Sequence, residues 1–265
     1  MLKNSSITSI KLDNAVTITF PDVSQALIEP NGLLASGGQL NAQWLLSAYQ
    51  QGIFPWSNPD EPILWWSPDP RFGFPSGGVH LSKSRIRQLR KNRWTVRADC
   101  QFNQVIKHCA SISRNGQTAT WISEELIVGF QELYDLGFAH SIEVYEDEQL
   151  VGGLYGLAIG QQFFAESMFS LKSQASALAL YALSQTLAQW YWPWIDTQLE
   201  NPHLRLLGGM PMSREHYMQV LQEQRSKEPR IGSWRNDFPN LDLDQFQQMK
   251  PNSDGLCTYG PNLSK

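Results

Sequence analysis

The stretch from Leu150 to Ser170, LVGGLYGLAIGQQFFAESMFS, limits what this chain can fold into more than any other part of it. Two apolar runs flank a turn at Gly160-Gln161-Gln162, and the first is broken by Gly152, Gly153 and Gly156, so the pattern predicts a hairpin of two adjacent strands. Glycine inside a strand marks a bulge or a place where another backbone or a ligand comes close. The second run ends in Glu166-Ser167-Met168-Phe169-Ser170. A carboxylate there must face water or answer a polar partner, because an unpaired buried one is costly. Two readings stand: a bulge with Glu166 on a solvent edge, or a sheet opened to admit a substrate with Glu166 at its mouth.

The downstream sequence favours the second reading. A polar link, Leu171 to Gln174, leads into Ala175 to Ala188, rich in Ala and Leu and long enough for about four helical turns. Trp194 to Gln198 then reads as a short strand. Strand, helix, strand predicts a right-handed crossover and parallel pairing, which brings Asp196 to the same sheet end as the hairpin. Strand alternation puts Asp196 and Gln198 on one face.

At 265 residues and 42% hydrophobic content the chain can bury a sizeable core, as one large domain or two modest ones. A net charge of -4 does not announce a nucleic-acid binder. Cys100, Cys109 and Cys257 form no metal-ligand spacing and are odd in number, which fits a reducing compartment. No secretory leader and no apolar run of roughly 18 residues is present, so a soluble, cytoplasmic protein with no membrane partner is expected. The chain lacks a glycine-rich phosphate loop, a His-Glu-x-x-His pair and a Gly-x-Ser-x-Gly elbow, and its five histidines are scattered. Neither a metal nor a cofactor is expected.

In the N-terminal part, Ser6 to Leu12 and Ala15 to Phe20 are strand candidates, Asn31 to Gly38 reads as a turn-rich loop, and Asn41 caps a helix from Ala42 to Gln51. The prolines around Trp56 and around the Trp65-Trp66 pair restrict the backbone and argue against a regular central strand. A rigid loop of that kind can hold an aromatic plane for stacking, although packing is the commoner use of tryptophan. The change in composition at Arg71 to Pro75 marks the expected domain boundary.

From His80 to Ala98 the chain holds Lys83, Arg85, Arg87, Arg90, Lys91, Arg93 and Arg97, seven of its 21 basic residues, with no acidic one. Ser82 can cap a helix that buries Ile86 and Leu89 and turns the basic side chains outward. Such a face is either merely solvated or a contact for phosphates, since a local positive field attracts polyanions whatever the total charge. Further helices are expected from Phe102 to Ala110, from a Ser123 cap to Gly137, from Asn201 to Leu207 and after a Ser213 cap, with a strand from His140 to Glu146 and a polar tail from 240 to 265.

The strings PNGLLASGG from Pro30, YQQGIFPW from Tyr49, ILWWSPDPR from Ile63, TWI from Thr120, ESMFS from Glu166 and IDTQ from Ile195 resemble the bacterial leucyl/phenylalanyl-tRNA-protein transferase family almost throughout, up to about Pro239. The resemblance implies an α+β fold: a small N-terminal domain, residues 1–72, before an acetyltransferase-like (GNAT-like) mixed-sheet domain, residues 73–240, with a tail of residues 241–265. It implies transfer of leucine, phenylalanine or methionine from aminoacyl-tRNA to proteins beginning with Arg or Lys, marking them for degradation. By motif, Trp56 and Trp121 would hold the terminal adenosine, and Leu154, Phe163 and Ile195 would line the pocket for the amino-acid side chain. Leu154 stands where the family carries methionine. Glu166, Asp196 and Gln198 would form the catalytic group, with Asp196 orienting or deprotonating the incoming amine and Gln198 donating to the ester carbonyl. Lys83, Arg85, Arg87, Arg90, Lys91 and Arg93 would contact tRNA. Two rivals remain, a coenzyme A-dependent acyltransferase and a non-catalytic RNA-binding protein; the link LKSQAS lacks the pyrophosphate loop that the first requires.

Overall fold

The computed structural model describes residues 18–58, 61–89, 94–111 and 121–239. An N-terminal layer comprises β1 (Leu33–Ser36), α1 (Ala42–Tyr49), β2 (Phe54–Pro55) and β3 (Leu64–Trp66). The Asn41 side chain caps α1 by accepting from the Trp44 amide, as expected. The three strands form a sheet in the order β1-β3-β2. Here the structure corrects two expectations. The loop expected at Asn31 to Gly38 contains β1, and the Trp65-Trp66 pair lies on the central strand. Pro62 and Pro68 stand outside that short strand, and Pro55 sits on the edge strand β2, where a missing N–H costs no ladder bond. Of the two strands expected in the first twenty residues, all but residues 18–20 lie outside the described residues, and those three are not strand.

The rest of the described chain runs β4 (Arg71–Pro75), α2 (Lys83–Leu89), β5 (Trp94–Ala98), α3 (Phe102–Ser111), α4 (Glu124–Asp135), β6 (Ala139–Glu146), β7 (Gln149–Ile159), β8 (Gln162–Ser170), α5 (Ala175–Gln189), β9 (Trp194–Asp196), α6 (Pro202–Leu206), β10 (Met210–Met212) and α7 (Arg214–Arg225). Seven of these strands form one mixed sheet in the order β10-β4-β9-β8-β7-β6-β5. The α+β class with a small N-terminal unit before a mixed sheet is as expected. The boundary expected at Arg71 to Pro75 falls inside β4, between β10 and β9.

The predicted hairpin is β7 and β8, and the crossover through α5 gives the predicted parallel pair, Phe163 beside Ile195 and Phe164 beside Asp196. α5 is buried almost all round, which its Ala and Leu content permits. Two apolar clusters cover the sheet. One joins Leu154, Phe163 and Ile195 to α5, α2 and Trp234. The other joins Tyr155 and Phe164 to α1, α3, α4 and α7.

Candidate active site

β8 and β9 part company just past their paired residues. β8 continues to Ser170, whereas β9 stops at Asp196. The hairpin is irregular at the same level. Tyr155 pairs with Ser167 and Gly156 with Ala165, leaving Glu166 as the extra, unpaired residue of a bulge on β8. Gly156 is required there, because a Cβ would run into the Phe164 carbonyl oxygen. The glycine pattern therefore marks both the bulge and the opening, and Glu166 sits at the notch.

The Glu166 residue is half-buried, but its carboxyl group is enclosed. Burial pushes its pKa up to about 8, and the neighbouring Asp196 carboxylate adds to this, while Tyr49, Arg71 and Gln198 pull the other way. The Gln198 side-chain amide donates to Glu166 Oε1 at 2.8 Å. The buried Tyr49 hydroxyl lies against the same carboxyl group without forming a hydrogen bond of good geometry. Burial pushes the Tyr49 hydroxyl well up, and Glu166 adds to that.

Asp196 and Gln198 do come together, though not by strand alternation. β9 ends at Asp196, and Gln198 has φ +60° in a turn that the Asp196 carboxylate closes by accepting from the Gln198 amide N–H at 2.9 Å. Asp196 is fully buried. Its Oδ1 also accepts from Arg71 Nε at 2.9 Å, and its Oδ2 from Arg71 Nη2 at 2.7 Å and from the Tyr217 hydroxyl at 2.8 Å. Asp196 thus has donors on both oxygens and no exposed surface, and through Oδ1 it holds the Gln198 backbone amide. Arg71, Tyr217 and Tyr49 were not singled out from the sequence; the charged start of the otherwise apolar string RFGFP was the one local sign of Arg71.

Leu154, Phe163 and Ile195 are fully buried in the α5-side cluster, whereas the packing partners of Glu166 and Asp196, Tyr49 and Tyr217, belong to the opposite cluster. Phe163 and Ile195 are the first of the two parallel pairs, and the strands part beyond the second, Phe164 and Asp196. Trp56 follows edge strand β2; its carbonyl accepts from Trp66 Nε1 at 2.6 Å and its ring meets Trp66 edge-on at 5.7 Å, leaving it 43% exposed. Trp121 is half-buried at the margin of the second cluster.

On α2, Ile86 and Leu89 are buried, Lys83 and Arg87 are exposed and Arg85 is half-buried, as the amphipathic reading predicts. Arg90, Lys91 and Arg93 lie outside the described residues, as does the 241–265 tail. Arg97 does not join that face: it lies on β5, paired with Glu148 and stacked on Tyr145. Among the described residues no group of three His, Cys, Asp or Glu side chains is placed to hold a metal ion, and no helix is long and apolar enough to cross a membrane.

Residues 74–222 match the family described as leucyl/phenylalanyl-tRNA protein transferase, and residues 38–69 match the N-terminal domain of that family. A protein of Xanthomonas axonopodis pv. citri named leucyl/phenylalanyl-tRNA–protein transferase is 50% identical over 227 residues, 86% of this chain and 91% of the relative. A protein of the same name from Hydrogenovibrio crunogenus is 49% identical over 211 residues, 80% of this chain and 82% of the relative.

Proposed function

This chain belongs to the leucyl/phenylalanyl-tRNA protein transferase family and is an aminoacyltransferase, and on that premise we propose that it moves leucine, phenylalanine or methionine from aminoacyl-tRNA onto proteins beginning with Arg or Lys, marking them for degradation in the cytoplasm. The observation that carries the reading is the notch where β8 and β9 separate, with the enclosed Glu166 carboxyl group and the Gln198 amide hydrogen-bonded across it.

The reaction is aminolysis of an ester. The acceptor α-amine attacks the ester carbonyl carbon, charge collects on the carbonyl oxygen, the amide forms and the bond to the ribose oxygen breaks. The nitrogen loses a proton and the ribose oxygen gains one. An aminoacyl ester is already activated, so holding ester and amine together accounts for much of the rate. Gln198 Nε2 has two N–H groups. One is engaged with Glu166, and the other is available to the developing oxyanion. In its ionised form Glu166, with a pKa near 8, is matched to an α-amine of ordinary pKa as proton acceptor, which a carboxylate of ordinary pKa is not. Asp196 holds the turn that carries Gln198.

For the donor, Trp56 offers an exposed ring fixed by Trp66, suited to the terminal adenine, with Trp121 as its partner. The leucine or phenylalanine side chain of the donor is directed toward the apolar cluster that holds Leu154, Phe163 and Ile195 on the α5 side of the sheet. The exposed Lys83 and Arg87, with Arg85 and the following Arg90, Lys91 and Arg93, contact tRNA phosphates.

The test is to incubate the protein with radiolabelled leucyl-tRNA and paired peptides beginning with Arg or Ala. Label on the Arg peptide alone supports the reading. Label on neither, or transfer from a coenzyme A thioester without tRNA, rejects it.

A further inference from the structure

We infer that Arg71 and Tyr217 are positioning residues for the transfer reaction, acting through Asp196 on Gln198. The inference rests on the reading of Glu166 and Gln198 as the reacting groups.

Arg71 is the first residue of β4 and is wholly buried. Its Nε and Nη2 grip both oxygens of Asp196, and its Nη1 donates to the Gly52 carbonyl at 3.0 Å. The guanidinium is held between the Phe54 ring, 4.8 Å away, and the Tyr217 ring, 4.6 Å away. The N-terminal layer thus supplies Gly52 and Phe54, and α7 supplies Tyr217, to fix one arginine whose partner lies on the neighbouring strand β9. Planar, two-pronged recognition of a carboxylate is what arginine does and lysine does not.

The consequence appears two residues beyond the carboxylate. Gln198 occupies the left-handed region at φ +60°, which a residue with a side chain takes up when its surroundings hold it there. Three contacts hold it: Asp196 Oδ1 accepts its N–H, its carbonyl accepts from Phe72 N at 3.2 Å, and Thr197 N donates to the Phe72 carbonyl at 2.9 Å. Phe72 directly follows Arg71. The same short segment therefore fixes the carboxylate through a side chain and the turn through its backbone, which aims the Gln198 amide at Glu166.

A buried ion pair can also be a purely structural feature, so the test needs a readout that stability does not move. A double-mutant cycle provides it. Tyr217→Phe removes one hydroxyl from Asp196 and keeps the ring against Arg71. The expected result is a protein that still folds, with a lowered melting temperature because a buried hydrogen bond to a charged group is lost, a 5- to 20-fold lower kcat and a KM for leucyl-tRNA within twofold of the parent. In a Gln198→Ala background, Tyr217→Phe should cause no further loss, because its effect passes through Gln198. Arg71→Lys, which keeps the charge but not the paired contact, is run through the same cycle in case one variant fails to fold. Equal losses in the presence and absence of Gln198, or wild-type kcat in Tyr217→Phe while Gln198→Ala is slow, would overturn the inference alone. A wild-type rate in Gln198→Ala would instead overturn the reading of the site on which it rests.

Discussion

The side-chain amide of Gln198 reaches Glu166 Oε1 across 2.8 Å, joining the turn after β9 to the bulge on β8 at the level where those strands separate. Because burial holds Glu166 near pH 8, a rate that needs its ionised form must fall as pH drops through that value. The acceptor α-amine, with an ordinary pKa of about 7.7–8.0, must also be deprotonated. The acid limb of log kcat/KM for the peptide should therefore approach a slope of two in the wild type and of one in Glu166→Gln. A slope of one in both would remove Glu166 from the proton transfer.

Trp56 presents its ring beside an edge strand, fixed by the hydrogen bond from Trp66. Loss of a stacked base costs roughly 1–3 kcal/mol. Trp56→Ala and Trp121→Ala should each weaken use of aminoacyl-tRNA by about that much and leave the KM for the peptide unchanged. Steady-state kinetics with each substrate varied separately checks this; unaltered donor kinetics in folded variants would reject the adenine assignment.

The α2 face should show its role in salt. Neutralising Lys83 and Arg87 together removes about two phosphate contacts if both touch tRNA, which lowers the slope of log affinity against log salt by roughly 1.4–1.8. Filter binding at several ionic strengths measures it. Parallel plots for parent and variant would take the helix out of the interface.

Glu143, on β6, makes a separate prediction about stability. It is fully buried, and its carboxyl group accepts from Ser141 Oγ at 2.6 Å and from the Cys100 and Gln101 amides at 3.0 Å each, just ahead of α3. Burial pushes its pKa up to about 7 despite these bonds. In the unfolded chain the group ionises near 4.5, so its stabilising contribution is complete below that pH and is lost as pH rises through about 7. Melting temperature should fall less steeply between pH 5 and 8 in Glu143→Gln than in the parent. An identical pH slope would show that Glu143 does not carry this titration.

What the sequence revealed and what it concealed divide along local and non-local lines. The hairpin, its bulge, α5 and the parallel partner at Asp196 were legible because glycine, apolar periodicity and crossover handedness all act within neighbouring residues. The cap residues Asn41, Ser123 and Ser213 were legible for the same reason. Arg71 was not, because its partner lies 125 residues away and its own neighbourhood reads as a proline-flanked link. The nearness of Asp196 and Gln198 was foreseen by the wrong device: alternation along a strand was expected, and a left-handed turn closed by Asp196 provides it. The tryptophan pair on β3 was misread because flanking prolines end a strand without preventing one.

Gln198 serves the reacting complex and not donor binding alone. Single-turnover transfer from saturating leucyl-tRNA to a peptide beginning with Arg measures this directly. Gln198→Ala should bind leucyl-tRNA as the parent does, yet transfer about 10²–10³ times more slowly, the usual consequence of removing an oxyanion donor. A folded Gln198→Ala protein that transfers leucine at the parent rate would contradict the account.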